Sequence, residues 1–261
     1  MYQVFQWNNK NELKRLDTYQ YWNNENEEKK KEWDIRDGNF KKLEKYLLSS
    51  GLKGDLIKAL RLSGLRSKTM LRGIELGGGV CWSASILFNQ LDIKEMQFLE
   101  FSEHRIVKIA PLILQHYDIP SDKVKLILGS FYETKCPDES MDFILLSQAF
   151  HHAADVESLL KEMYRILKKD GIVIIIGEHY CDTKFVFHCM QERLVDNICG
   201  NYNSDKIKLY KQSGCIGLDS RLGDRYYSIW SYAKMFRKYK FECKRLKTSK
   251  KESLGFILWK R

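Results

Sequence analysis

The amino-acid sequence predicts an α/β protein. It reads as a doubly wound, mainly parallel sheet that ends in an antiparallel C-terminal hairpin. Residues 1–68 are expected to form an N-terminal helical cap, and 179–227 a helical lid inserted in the remaining domain, 69–261. Three observations carry this reading. The stretch Arg72–Trp82 passes from an apolar run through Glu75 into Gly77, Gly78 and Gly79 and back into apolar residues, as a strand, a tight turn and a helix start do. Downstream, strand-like apolar runs alternate with amphipathic helical ones, the pattern of crossover units. The last two strand patterns are separated only by the polar run Lys247–Glu252, which suits an antiparallel hairpin.

The totals agree with that class. A chain of 261 residues, 44% hydrophobic and 30% charged, suits one sizeable α/β domain with an added subdomain. No segment is apolar for long enough to span a bilayer. The N-terminal residues lack the basic-then-apolar layout of a secretory signal. The seven cysteines are scattered with no C-x-x-C pair, so reduced thiols in a cytoplasmic protein are expected, and no metal-ligand set is read. The formal charge of +10 fits a solvated lysine-rich surface, with a nucleic-acid or anionic-membrane partner as the sharper alternative.

Taken in order, residues 1–68 look helical and polar, anchored by Tyr19, Trp22, Trp33, Phe40, Leu43, Tyr46 and Leu47. Glu25–Glu32 is expected to be an exposed helix face, Gly51 and Gly54 to end one helix, and Leu56–Leu65 to form the next. A strand at 71–76 precedes a helix at 80–90 and a strand at 96–101. Ser102 could cap the following helix, in which Ile106, Ile109, Ala110, Ile113, Leu114 and Tyr117 share a face and Pro111 should introduce a kink. Val124–Leu128 and Met141–Ser147 are strands, the latter apolar enough to be central. Asp155 caps a helix through Leu167, with Lys168 and Lys169 suiting its C-terminal dipole and Gly171 ending it; Ile172–Ile176 is a β-branched strand. Between 179 and 227 the rhythm breaks. Phe185, Phe187, Met190, Leu194 and Ile198 suggest one helix and Lys206–Ser213 another, as in a lid. A helix at 228–239 and strands at 241–246 and 254–259 close the chain.

Ligands of such sheets bind beyond the C-terminal strand ends, near the point where strand order reverses. Glu75 and Gly77–Gly79 end the first strand of the core. Glu100 ends the second, about 20 residues past the glycine turn, where a carboxylate can accept two hydrogen bonds from a ribose diol. Ser130 and Phe131 follow the third, where an aromatic ring can stack on adenine, and Ser147 and Gln148 end the fourth. A nicotinamide-type diphosphate site is disfavoured. The third glycine of Gly-x-Gly-x-x-Gly is replaced by Trp82, and Glu75 would repel a diphosphate but tolerate a cationic ligand.

From Gly73 to Gly177 the chain resembles a class I S-adenosylmethionine-dependent methyltransferase of the type-11-like small-domain group. Glu75-Leu76-Gly77-Gly78-Gly79 is similar to its glycine motif, and Leu99-Glu100-Phe101-Ser102 to its acidic ribose-binding strand end. Leu128-Gly129-Ser130-Phe131 resembles its adenine site, and Pro137–Ile144 the approach to its fourth strand. Ser147–His152 and Leu167–Gly171 resemble the two motifs that follow. The resemblance implies a Rossmann-like, seven-stranded sheet, S-adenosyl-L-methionine as cofactor, and cofactor contacts at Glu75, Gly77, Gly78, Gly79, Glu100, Phe101, Ser130, Phe131, Ser147 and Gln148. The chain departs from the family pattern at Cys81, in place of a third glycine, and at Ser130, in place of an aspartate.

Methyl transfer from a sulfonium needs a nucleophile held in line and water kept out; a base helps where the nucleophile is a hydroxyl. His151 and His152 after the fourth strand and His179 after the fifth are the candidate bases, with Tyr180, Tyr226 and Tyr227 as candidate pocket residues. The Asn/Asp-Pro-Pro-aromatic turn of nucleic-acid amino methyltransferases is absent: its place reads Ser147-Gln148-Ala149-Phe150. A small-molecule acceptor, a sugar or another metabolite methylated on oxygen or nitrogen, is therefore favoured. The alternatives are an RNA methyltransferase using the basic C-terminal face and a non-catalytic binding protein.

Overall fold

Alternation along the core strands decides the layering. In the computed structural model, which describes residues 2–14, 18–181, 183–198, 215–219 and 222–260, successive strand residues enter two separate apolar clusters. Phe98, Leu126, Phe143, Leu145, Ile172 and Ile174 pack on one face against the helices Phe40–Ser49, Leu52–Ser63 and Ala84–Gln90. Leu99, Ile127, Ile144, Leu146, Val173 and Ile175 pack on the other against Val156–Ile166 and Ile229–Lys238. Each strand is thus buried on both sides, as a parallel sheet between two helical layers requires.

The strands are β1 (Val4–Gln6), β2 (Leu71–Leu76), β3 (Ile93–Glu100), β4 (Val124–Leu128), β5 (Met141–Ser147), β6 (Leu167–His179), β7 (Gly217–Asp219), β8 (Asp224–Tyr226), β9 (Phe241–Leu246) and β10 (Ser253–Lys260). The sheet runs β1-β4-β3-β2-β5-β6-β10-β9, while β7 and β8 form a separate antiparallel ribbon. β1 to β6 of the sheet are parallel, and β10 is antiparallel to both β6 and β9. Chain order reverses between β2 and β5, which places the switch point at the glycine turn. Gly73 faces Phe143 across β2 and β5, and a Cβ there would lie 2.2 Å from the ring.

Several expectations need correction. The sheet has eight strands rather than seven, because Val4–Gln6 pairs in parallel with Leu126–Leu128. Three residues with only Phe5 half-buried are too short a run for an alternation to register. Glu25–Glu32 is not one exposed helix. The helix covers Glu25–Glu28, and Glu28 is buried against Arg105. Gly54 lies inside the helix Leu52–Ser63; Gly51, at φ 80°, is the residue that separates it from Phe40–Ser49. The helix after the glycine turn starts at Ala84, since residues 78–83 are spent on the turn itself. β3 starts at Ile93 and ends at Glu100, one residue before the expected end. Pro111 stands where a wide π-type segment, His104–Ile109, runs directly into the helix Ala110–His116, so a change of helix type accompanies the proline.

The helix from Val156 stops at Ile166, and residues 167–171 already belong to β6. Leu167 is buried and pairs with Met141, Ile172 pairs with Phe143, and the intervening residues form an irregularity whose Lys168 Nζ reaches Asp142 at 2.7 Å. The region 179–227 is not wholly helical. It contains the helix Thr183–Ile198, with Phe187, Leu194 and Ile198 exposed, and the β7–β8 ribbon; the expected helix at Lys206–Ser213 lies outside the described residues. Among the described residues no helix is long and apolar enough to cross a membrane.

Candidate functional site

The C-terminal strand ends open onto a cavity of about 250 Å³. It is lined by Gly77, Gly78 and Gly79 after β2, Glu100 and Phe101 at the end of β3, Ser130 and Phe131 after β4, Ser147 and Gln148 at the end of β5, and His179 at the end of β6. His151 and His152 line it as well. The cofactor-contact and candidate-base residues expected from the sequence therefore meet in one place, with Glu75 the exception among them.

The turn owes its shape to left-handed backbone. Gly77 has φ 75° and Gly79 φ 52°, and the N–H groups of Gly77 and Gly78 donate to the Leu99 carbonyl at 2.9 and 2.8 Å. A Cβ on Gly77 would stand 2.8 Å from that of Ala149, whereas Gly79 faces open space. Cys81, where the family pattern has its third glycine, also takes a positive φ, 61°, and is fully buried. Burial, together with the charges of Glu75 and Glu100, pushes its thiol well up, so it is an inert packing residue.

Glu75 lies behind the turn. It is buried, accepts a short hydrogen bond from the Ser83 hydroxyl, and does not line the cavity. Burial pushes its carboxyl up to about 8; the Ser83 bond opposes this and the charge of Glu100 adds to it. Glu100 is oriented by three backbone N–H groups: Phe101 and Ser102 donate to Oε1 at 2.9 Å each, and Gly79 to Oε2 at 2.8 Å. Burial raises its pKa against the opposing pull of Arg105 and these N–H groups.

At the next strand end the Ser130 N–H donates to Asn8 Oδ1 at 2.9 Å, so β1 brings a residue from the chain's start to this edge. Ser147 lines the cavity, and its Oγ is buried without a hydrogen-bond partner. Gln148 holds φ 53°, and its Oε1 accepts from the Tyr46 hydroxyl at 2.9 Å.

The cavity also carries a cluster of imidazoles and carboxylates. His151 Nδ1–H donates to Glu178 Oε2 at 3.1 Å, and the Tyr232 hydroxyl donates to the same oxygen at 3.0 Å. His179 Nε2–H donates to Asp224 Oδ2 at 3.2 Å, and His152 Nδ1 lies 3.0 Å from Asp224 Oδ1. Burial disfavours the charged form of His151, but Glu178 and Asp224 outweigh it and its pKa is raised. Burial and the neighbouring His151 push His152 down to about 4, against the pull of Asp224. Burial acts to raise the carboxyl of Asp224, yet its contacts with His152 and His179 hold it well below the usual range.

The tyrosines expected at the pocket do not line it. Tyr180 packs beneath Arg245, Tyr226 against His179 and Phe185, and Tyr227 against Phe150 and Tyr232. In their place stand residues that sequence reasoning did not assign: Trp22, Trp33, Tyr46, Arg105 and Asp224. Arg105 makes a bidentate pair with Glu28 at 2.8 Å on both arms, and its guanidinium sits 4.6 Å from the Trp22 ring centre and 5.1 Å from that of Trp33. The Trp22 ring in turn meets His152 edge-on at 5.2 Å. No local pattern could link Glu28 to Arg105; only the apolar anchors of residues 18–47 signalled a packed segment.

Residues 74–175 match the family model described as a methyltransferase domain. Among curated proteins, a sterol 24-C-methyltransferase of Aspergillus fumigatus is 38% identical over 52 residues, 20% of this chain and 14% of that protein. A demethylmenaquinone methyltransferase of Lysinibacillus sphaericus is 25% identical over 99 residues, 38% and 40% of the two chains. The chain thus spans well under half the length of these curated relatives. Among solved structures, an S-adenosylmethionine-dependent methyltransferase from Aquifex aeolicus superposes with a TM-score of 0.53 at 15% identity, over 77% of this chain and 87% of that one. That likeness is one of fold.

Proposed function

We propose that this chain, whose residues 74–175 form a class I S-adenosylmethionine-dependent methyltransferase domain, transfers a methyl group to a small-molecule acceptor. The observation that carries the reading is the single cavity in which the glycine turn, Glu100, Ser130, Phe131, Ser147 and Gln148 face three histidines. Its residues suit the cofactor. Gly79 leaves room where a side chain would intrude, Ser147 Oγ is an unpartnered polar atom, and the Glu100 carboxylate at the cavity favours a cation over a diphosphate. Glu100 would hold the ribose hydroxyls, the glycine turn would receive the amino-acid portion, and Phe131 would cover the adenine. When bound, the cofactor supplies a methyl group on a sulfonium, a leaving group that needs no further activation.

The protein's part is to position and dry the acceptor. Trp22, Trp33 and Tyr46 wall the cavity and keep water out. Asp224 orients His179 through Nε2, which leaves Nδ1 able to take a proton from an acceptor hydroxyl or amine. The residues 1–68 act as a cap and those around the β7–β8 ribbon as part of a lid, since both contribute side chains to the cavity.

Calorimetry with S-adenosylhomocysteine tests the reading. The wild-type protein is expected to bind it, and Glu100→Ala to weaken binding by about 1.5–3 kcal/mol, the range of a hydrogen bond to a charged group. No binding by folded wild-type protein would sink the proposal. Transfer of labelled methyl from the donor into total RNA, with none into a pool of small metabolites, would overturn the small-molecule acceptor.

A further inference from the structure

The histidine cluster of the cavity holds more ligand-type atoms than proton transfer uses. One ligand atom from each of His151, His152 and Asp224 can be chosen so that all three lie within 4.8 Å of one another. His152 Nδ1 stands 3.0 Å from Asp224 Oδ1, yet neither atom has a partner in hydrogen-bonding geometry. His151 Nε2 is 3.9 Å from the same Oδ1. Because His151 gives its Nδ1–H to Glu178, its Nε2 is the bare nitrogen.

The surroundings are those of a metal centre. Ligating histidines donate their second ring nitrogen to a carboxylate, as His151 does to Glu178, and ligating carboxylates are themselves hydrogen-bonded, as Asp224 Oδ2 is by His179. Tyr232 fixes Glu178 in turn. Among the described residues, Asp224 and Glu178 bring two carboxylates to the cluster, while the Arg225 guanidinium bonds the carbonyls of His152 and Gly223. All three ligand residues line the cavity.

We propose that His151 Nε2, His152 Nδ1 and Asp224 Oδ1 bind a divalent transition-metal ion of the zinc type, with a coordination position open to the acceptor. Two imidazoles and one carboxylate plus an open position make a catalytic rather than a structural set, and imidazole selects zinc-like ions over magnesium or calcium. Ligand bonds of about 2.0–2.2 Å put tetrahedral ligand atoms roughly 3.4 Å apart, so the His152–Asp224 pair at 3.0 Å is already near its place and His151, 3.9 Å from Asp224 Oδ1, has to move inward on binding.

This inference rests on the methyl-transfer reading and narrows its acceptor to a hydroxyl or thiol. On the ion, such a group loses its proton more readily. The O–H or S–H bond breaks and the proton passes to His179 Nδ1. The freed electron pair forms the new bond to the methyl carbon, while the carbon–sulfonium bond breaks and its pair stays on sulfur, leaving a neutral thioether.

The test uses the full chain stripped with chelator, with Co²⁺ as probe and Zn²⁺ as competitor. One equivalent of Co²⁺ should bind with visible ligand-field absorption, be displaced by Zn²⁺, and bind at least tenfold more weakly in His152→Ala and Asp224→Asn. X-ray absorption on Co²⁺-loaded wild-type protein should show two imidazoles, a reading that needs no variant to fold. Absence of stoichiometric binding, imidazole-free coordination, or unchanged binding in both variants would each overturn the site. Calorimetry with S-adenosylhomocysteine on the same samples separates the two proposals. Retained cofactor binding without metal binding removes only the metal site, and metal binding without cofactor binding removes only the methyl-transfer reading.

Discussion

Glu75 shows how one side chain can serve the fold and register in its pH dependence. Its carboxyl is buried behind the glycine turn and bonded to Ser83, and burial raises its pKa to about 8. In the unfolded chain the group titrates near its ordinary value, so between those two limits unfolding releases a proton. Its contribution to stability is complete below the unfolded pKa and is lost as pH rises through about 8. Glu75→Gln keeps an acceptor for Ser83 and cannot ionise. Urea denaturation from pH 5 to pH 8 should show the variant gaining on wild type by on the order of 3 kcal/mol as pH rises. Parallel stability curves would mean that Glu75 is ionised in the native protein. Cys81, three residues beyond Gly78, carries a different cost: a left-handed non-glycine backbone, worth roughly 1–2 kcal/mol, tolerated because the surrounding core fixes the turn.

At the scale of elements, the π-type segment His104–Ile109 is joined to the N-terminal segment by the pair Arg105–Glu28, closed over by Trp22 and Trp33. Glu28 is 1% exposed. Burial acts to raise its pKa, but the bonds from Arg105 and Trp33 hold it below the usual carboxylate range. A buried pair of this kind stabilises little in itself; what costs is leaving one charge alone. Glu28→Ala or Arg105→Ala should each destabilise the protein by about 3–5 kcal/mol, while the double replacement by Leu and Met should cost clearly less than the sum. Additive losses in equilibrium denaturation would show that the two side chains do not act as a pair. The same contacts set one side of the cavity, so residues 18–47 are tied to the sheet through the element that follows β3.

For the whole molecule, the cavity draws on the start of the chain, the strand ends of the sheet and the β7–β8 ribbon at once. Ligand binding should therefore stiffen segments far apart in sequence. With S-adenosylhomocysteine bound, amide exchange should slow at residues 18–46 and 222–226 as well as at 77–79 and 100–102. Protection confined to the latter two would mean that the outer segments do not close on the site. The basic C-terminal turn stands apart from the cavity. Ser249 donates to Asp55 Oδ1 through its N–H at 2.6 Å and its hydroxyl at 2.7 Å, and Lys58 Nζ bonds the Lys247 carbonyl, so the turn is pinned to the helix Leu52–Ser63 with its lysines outward. Lys247, Lys250 and Lys251 are exposed there.

The sequence by itself determined the parallel core, the glycine turn and the cavity residues at the strand ends. Those features are written in neighbouring residues: apolar alternation that feeds two helical layers, glycines where φ must be positive, and polar side chains at the last residue of a strand. Even the C-terminal hairpin followed from strand period and loop length. Only the tertiary structure decided what faces them. β1 exists because β4 offers a free edge to three residues too few to signal a strand by themselves. Glu75 turned away because Ser83 was there to receive it. Glu28 and Arg105, or His152 and Asp224, are paired across stretches of chain that carry no mutual spacing rule. Such contacts form when the folded sheet has already excluded water around both partners, and burial then makes each charged or polar group depend on the other.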